Sequence, residues 1–154
     1  AIFVYFIIII TIAGVLSSDG RSKSFDADAN GYARSEAISV IYLQKAKHAK
    51  RIYATVVYGK TNCDGYKEQG ITFPSSAMQA TLMKECYKDC NVPLNDVFYI
   101  ECHGTGTKVG DPEELHAIEK VFFEKDRPTP LLIGSVKSNM GHAEPASGLS
   151  QVAK

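Results

Sequence analysis

The chain has 154 residues, 45% of them apolar and 22% charged, with 17 basic and 17 acidic side chains in balance. That is about one domain of ordinary globular sequence. No Lys/Arg block marks a nucleic-acid or anionic-membrane surface, so neither partner is expected.

Read in chain order, the first residues stand apart. The stretch AIFVYFIIIITIAGVL is uncharged and β-branched. It is shorter than the ~20 residues a helix needs to cross a bilayer, and it lacks the positive flank of a secretory signal. A buried strand, a targeting remnant and sequence foreign to the domain are the competing readings. Residues 1–13 are taken as foreign, and no function is hung on them.

From Gly14 onward the elements alternate. Residues 16–20 form a turn, and residues 25–31 a second loop rich in Asx and Gly. Residues 37–43 and 51–58 are β-branched and aromatic, which predicts two strands. Met78, Leu82, Met83, Cys86 and Tyr87 recur at helical spacing and predict a helix over 75–90. A strand over 96–102, a helix over 111–123, a strand over 130–136 and a helix opening at Pro145 complete the chain. Strands alternating with helices argue for parallel βαβ units in an α/β sheet. The four cysteines, Cys63, Cys86, Cys90 and Cys102, lack the dense spacing of a secreted disulfide framework, and there is no Asn-x-Ser/Thr acceptor. A reducing, cytoplasmic setting is the expectation.

Two strands joined by a crossover helix end at the same sheet edge, where open α/β sheets keep their sites. His103 ends the 96–102 strand, while Lys137 and His142 follow the 130–136 strand. If those strands are neighbours, two imidazoles and one ammonium converge. The loop His103-Gly-Thr-Gly-Thr-Lys-Val-Gly110 invites a nucleotide reading, but its last glycine is one residue too far for Gly-x-Gly-x-x-Gly. The next residues, Asp111-Pro-Glu-Glu114, predict a capping box with Asp111 as helix cap. Those carboxylates occupy the end a phosphate would need. Cys86 and Cys90, one helical turn apart, lack a set completing four metal ligands, so core packing is expected and no metal. Cys102 adjoins His103, but neighbouring strand side chains point to opposite faces, so it is not expected to act as nucleophile.

His103-Gly-Thr-Gly-Thr107 with Gly110-Asp111, followed by Gly134-Ser-Val-Lys-Ser-Asn-Met-Gly-His142, resembles the β-ketoacyl synthase family of the thiolase fold. Phe25-Asp-Ala-Asp-Ala-Asn-Gly-Tyr-Ala-Arg-Ser-Glu36 resembles the segment preceding those motifs. The continuation Ala143-Glu-Pro-Ala-Ser-Gly148, with residues 61–74, is most similar to the ketosynthase of animal or insect multifunctional fatty acid synthases. A polyketide synthase ketosynthase is the alternative, and a degenerate relic without activity remains a further reading.

The resemblance implies a thiolase-like fragment in a mixed sheet. Residues 14–50 would be the end of the N-terminal half, and 51–154 part of the C-terminal half. It implies decarboxylation of malonyl on acyl carrier protein and condensation with an acyl-cysteine. The nucleophilic cysteine belongs to an earlier family segment that these residues do not contain, so the chain alone is expected to be inactive. His103 and His142 are implied as donors to the enolate oxygen, and Lys137 as the charge that keeps them neutral. Thr105, Thr107 and Thr72 are implied as pantetheine contacts. The domain itself takes no cofactor; phosphopantetheine arrives on the acyl carrier protein. Other domains of the same multifunctional chain, and a second copy in a homodimer, are the remaining implied partners.

Overall fold

A computed structural model describes Thr11, residues 14–123 and residues 127–154. The hydrophobic segment 1–13 lies, Thr11 apart, outside the described residues. Helix α1, Ser76–Cys90, starts where Ser75 accepts a hydrogen bond from the Met78 N–H, and it ends on Asn91 in the left-handed region. Both are the endings that side-chain capping and αL geometry favour. Strand β1, Tyr99–Glu101, follows a 3-10 turn at Leu94–Asp96. Helix α2, Gly110–Phe122, leads to strand β2, Leu132–Gly134. Short helix α3, Lys137–Met140, a 3-10 turn at Glu144–Ala146 and helix α4, Ser147–Ala153, complete the order.

Strands β1 and β2 pair in parallel, with Tyr99 opposite Leu132 and Glu101 opposite Gly134. The Cys102 N–H carries the ladder one step further, to the Gly134 carbonyl at 2.8 Å. The βαβ unit expected from the sequence is therefore present. Among the described residues the sheet has these two strands only, so the mixed sheet implied by the resemblance is not seen in them.

Helices α1 and α2 pack on the sheet and enclose the core. Ala80, Cys102, Ala117, Ile118, Val121 and Phe122 are buried in it. Met83 and Tyr87, on the predicted apolar face of α1, close its side, and Tyr87 meets Phe122 edge-on at 5.5 Å.

Two expected strands are not seen among the described residues. Residues 37–43 and 51–58 have no ladder partners among them, and Ile38 and Val40 are 97% and 90% exposed. In the first segment the small residues Ala37 and Ser39 turn inward, and the Ser39 hydroxyl lies 3.4 Å from that of Ser150. β-Branched composition reports a side-chain preference for a pleated surface. A strand also needs a second backbone to pair with, which composition does not supply.

Candidate active site

The parallel pair delivers its chemistry to one edge. Two residues beyond β1, His103 leads a loop whose backbone is bound to α2. The Glu114 carboxylate accepts from the His103 N–H at 2.6 Å and from the Gly104 N–H at 2.9 Å. Asp111, 5% exposed, accepts from Gly106, from Thr107 and from the more distant Phe25 N–H at 2.7 Å. This corrects the capping-box reading. The residue at the start of α2 is Val109, without a side-chain cap, and Asp111 lies inside the first turn. Its carboxylate is spent on the loop because three N–H groups with no ladder partner converge there.

Glycine is required at two points of this loop. A Cβ on Gly104 would sit 2.7 Å from Ser135 Cβ, and one on Gly106 would sit 2.8 Å from the Lys23 backbone nitrogen. Both residues have positive φ, where side chains other than hydrogen are strained. The close approach brings loop 103–107 against Ser135, whose hydroxyl donates to the His103 carbonyl at 3.1 Å.

The second imidazole arrives from beyond β2. After α3 the chain turns at Gly141, and His142 joins a short parallel bridge with Arg34. Its N–H donates to the Ala33 carbonyl at 2.7 Å, and its carbonyl accepts from Ser35 at 3.2 Å. The two rings end 5.2 Å apart, edge to face at 86°. His142 is 8% exposed, whereas His103 is an exposed residue preceding buried Gly104, Thr105 and Gly106.

Ring protonation follows from the surroundings. The Glu144 N–H donates to His142 Nδ1 at 3.1 Å. That nitrogen is thereby an acceptor, and the neutral ring carries its proton on Nε2. Burial is the main cause that lowers the His142 pKa below its ordinary range; Lys137 and Arg34 push the same way, while Glu144 opposes them. For His103, crowding by the protein, then Lys137, then His142 bring the pKa down to about 4. Both imidazoles are neutral at physiological pH.

Lys137 is 1% exposed. Burial lowers its pKa, against the pull of Glu114 and Glu101. Its ammonium donates to Gln151 Oε1 at 3.1 Å, and the same amide donates to the Cys102 carbonyl at 2.5 Å. Gln151 thus joins α4 to the end of β1. Neither imidazole lines the cleft of about 580 Å³ beside α3, which Ser22, Ala33, Arg34, Lys137, Asn139 and Gly141 help to bound.

The threonines divide. Thr105 is buried and its hydroxyl lies 3.2 Å from that of Thr107, which also accepts from the Gly110 N–H. Both stand in the histidine loop. Thr72 is exposed in a turn before Pro74, and among the described residues no hydrogen bond joins it to either histidine loop. Cys102 is buried with its thiol pushed up to about 12, chiefly by burial and then by Glu114. Incubation with a radiolabelled acyl thioester should leave Cys102 unlabelled; stable label there would overturn its exclusion as nucleophile. Sequence reasoning missed Arg34, Glu144 and Gln151. The partners of Arg34 and Glu144 lie about a hundred residues apart in the chain.

The sequence profile described as "Beta-ketoacyl synthase, C-terminal domain" matches residues 53–154. The chain belongs to the β-ketoacyl synthase family. The profile of that family's N-terminal domain matches residues 7–49, beginning inside the segment read as foreign. A fatty acid synthase of the goose Anser anser anser is 55% identical over 141 residues, covering 92% of this chain and 40% of the goose protein. A highly reducing polyketide synthase of Aspergillus ruber is 44% identical over 146 residues, or 92% of this chain and 6% of its own length. This β-ketoacyl synthase chain therefore spans less than half of either relative. Among solved structures, the ketosynthase from module 6 of the bacillaene synthase of Bacillus subtilis superposes with a TM-score of 0.83 at 35% identity, covering 96% of this chain and 27% of that one. A Streptomyces albus oxazolomycin ketosynthase domain gives 0.82 at 31% identity, covering 94% and 26%. The α/β, thiolase-like reading of the sequence holds.

Proposed function

We propose that this chain is the part of a fatty acid synthase ketosynthase that receives malonyl from acyl carrier protein, decarboxylates it and presents the carbanion for condensation. The observation carrying this is the neutral imidazole pair, 5.2 Å apart, with the His142 proton assigned to Nε2 by the Glu144 N–H. Loss of carbon dioxide from malonyl leaves an enolate whose negative charge gathers on the thioester oxygen. Two N–H donors aimed at that oxygen stabilise the charge as it forms, each worth about 3 kcal/mol of barrier. Lys137 adds to burial in keeping the pair uncharged, because a nearby ammonium disfavours a second cation. Thr105 and Thr107 contact the pantetheine arm; Thr72 is a weaker candidate for the same task. The acyl-holding cysteine belongs to another part of the domain, so these residues alone do not complete condensation. Residues 14–50 supply the end of the N-terminal half and 51–154 part of the C-terminal half. The greater identity to goose fatty acid synthase than to the Aspergillus polyketide synthase supports the fatty acid assignment. The intact enzyme acts as a homodimer, with its carrier protein and further domains in one chain. The four cysteines of this chain, all free, accord with the cytosol. Among the described residues no helix is long and apolar enough to cross a membrane.

A pH profile tests the electrostatic part. His103 works as a neutral donor, so decarboxylation falls as pH drops through its pKa. Burial first, and Lys137 second, bring this pKa down to about 4, and Lys137→Met removes the second of these causes. The acid limb of malonyl decarboxylation, measured in the intact synthase, should therefore move to higher pH. An unchanged limb removes the role given to Lys137.

A further inference from the structure

Glu144 holds a φ of +50° immediately before Pro145. A non-glycine residue resists this, because its Cβ crowds its own carbonyl in the left-handed region. Such a residue persists only where its surroundings over-determine it.

The surroundings here are specific. One carboxylate oxygen of Glu144 accepts from Tyr32 Oη at 2.9 Å and from Arg34 Nη1 at 2.7 Å. Both donors sit on the segment already joined to His142. The Tyr32 ring meets the imidazole edge-on at 5.1 Å, and the Arg34 backbone bridges to it. The strained backbone of Glu144 sends its N–H to His142 Nδ1 at 3.1 Å. A phenol and a guanidinium about 110 residues away in sequence thus converge on the carboxylate of the residue whose peptide N–H meets His142.

We propose that Glu144, gripped by Tyr32 and Arg34, is a positioning residue: the clamp aims its N–H at His142 Nδ1 and so fixes the imidazole's own proton on Nε2. Its importance for catalysis rests on reading His142 as an oxyanion donor. Its test needs no reaction, so the clamp and the condensation reading fail separately.

The test is nuclear magnetic resonance on the 15N-labelled 154-residue chain. Two quantities are read: the scalar coupling across the hydrogen bond between the residue-144 amide and His142 Nδ1, and the hydrogen-exchange rate of that amide. The unaltered chain should show the coupling. Glu144→Ala and Arg34→Met should each abolish it and speed exchange roughly tenfold, the loss of about one hydrogen bond. Glu144→Gln, whose carbonyl oxygen can still accept, should retain part of the coupling. If the alanine or methionine variant fails to fold, Tyr32→Phe decides, since it deletes one hydroxyl and keeps the ring edge; a weakened coupling is expected. Lys60→Ala breaks a surface pair with Glu85 and Asp89 and should leave residue 144 unaffected. Persistence of full coupling and protection in folded Glu144→Ala or Tyr32→Phe overturns the proposal. So does equal acceleration in Lys60→Ala, which would make the effect one of global stability.

Discussion

Replacing His142 with alanine should slow malonyl decarboxylation in the intact synthase by about 10²–10³-fold, the usual loss on removing one oxyanion donor, while acyl transfer onto the cysteine changes little. The asymmetry follows from the charge each step develops. In the proposed reaction, decarboxylation leaves an enolate oxygen to which His142 would offer its Nε2–H, its Nδ1 being already engaged by a backbone N–H. Loading the acyl group is a transfer to sulfur at another centre. The two steps are measured separately, as release of labelled carbon dioxide from malonyl carrier thioester and as burst labelling of the enzyme by acyl donor. Equal loss in both would mean that His142 supports only the architecture, through its bridge to Arg34, and the proposed chemistry would fall with it.

The largest stability effect is expected at Asp111. Its carboxylate is buried and accepts from Phe25, Gly106 and Thr107. Asp111→Ala deserts all three donors, and an unpaired buried donor costs about 1–3 kcal/mol. Water can reach the half-buried Thr107 side of the loop, so a total of about 3 kcal/mol is expected rather than the full sum. The readout is the urea midpoint of the chain by circular dichroism. Asp111→Asn keeps one accepting oxygen and should recover about half of the loss. A midpoint unmoved by alanine would show that the loop holds its shape without this anchor.

Local pattern made part of this molecule readable. Ser75 before the Met78–Tyr87 periodicity announces α1, and the same residue caps it in space. Strand-ending His103 and Lys137 could be placed at one sheet edge because parallel pairing carries that geometry by itself. Long-range partners were not readable. Asp111-Pro-Glu-Glu114 has the letters of a helix start, yet the carboxylate turns away to a peptide 86 residues earlier. Residues 37–43 and 51–58 carry strand composition, but nothing among the described residues pairs with them. The Arg34–Glu144 contact offered one faint sign, a glutamate just before a proline in a loop beside a histidine. Spacing within a motif fixes neighbours along the chain, whereas a salt bridge spanning 110 residues depends on how two loops fold back on each other.

His142 is bridged to Arg34 and flanked by Ala33 and Ser35, which places its support in the sequence matched by one domain profile and the ring itself in that of the other. The border near residue 50 is thus a seam in sequence space that runs straight through one structural unit. Chimeric synthases joined there would pair the imidazole of one parent with the cradle of another. Crossovers that keep residues 32–35 and 142–144 from a single parent preserve the unit as a whole.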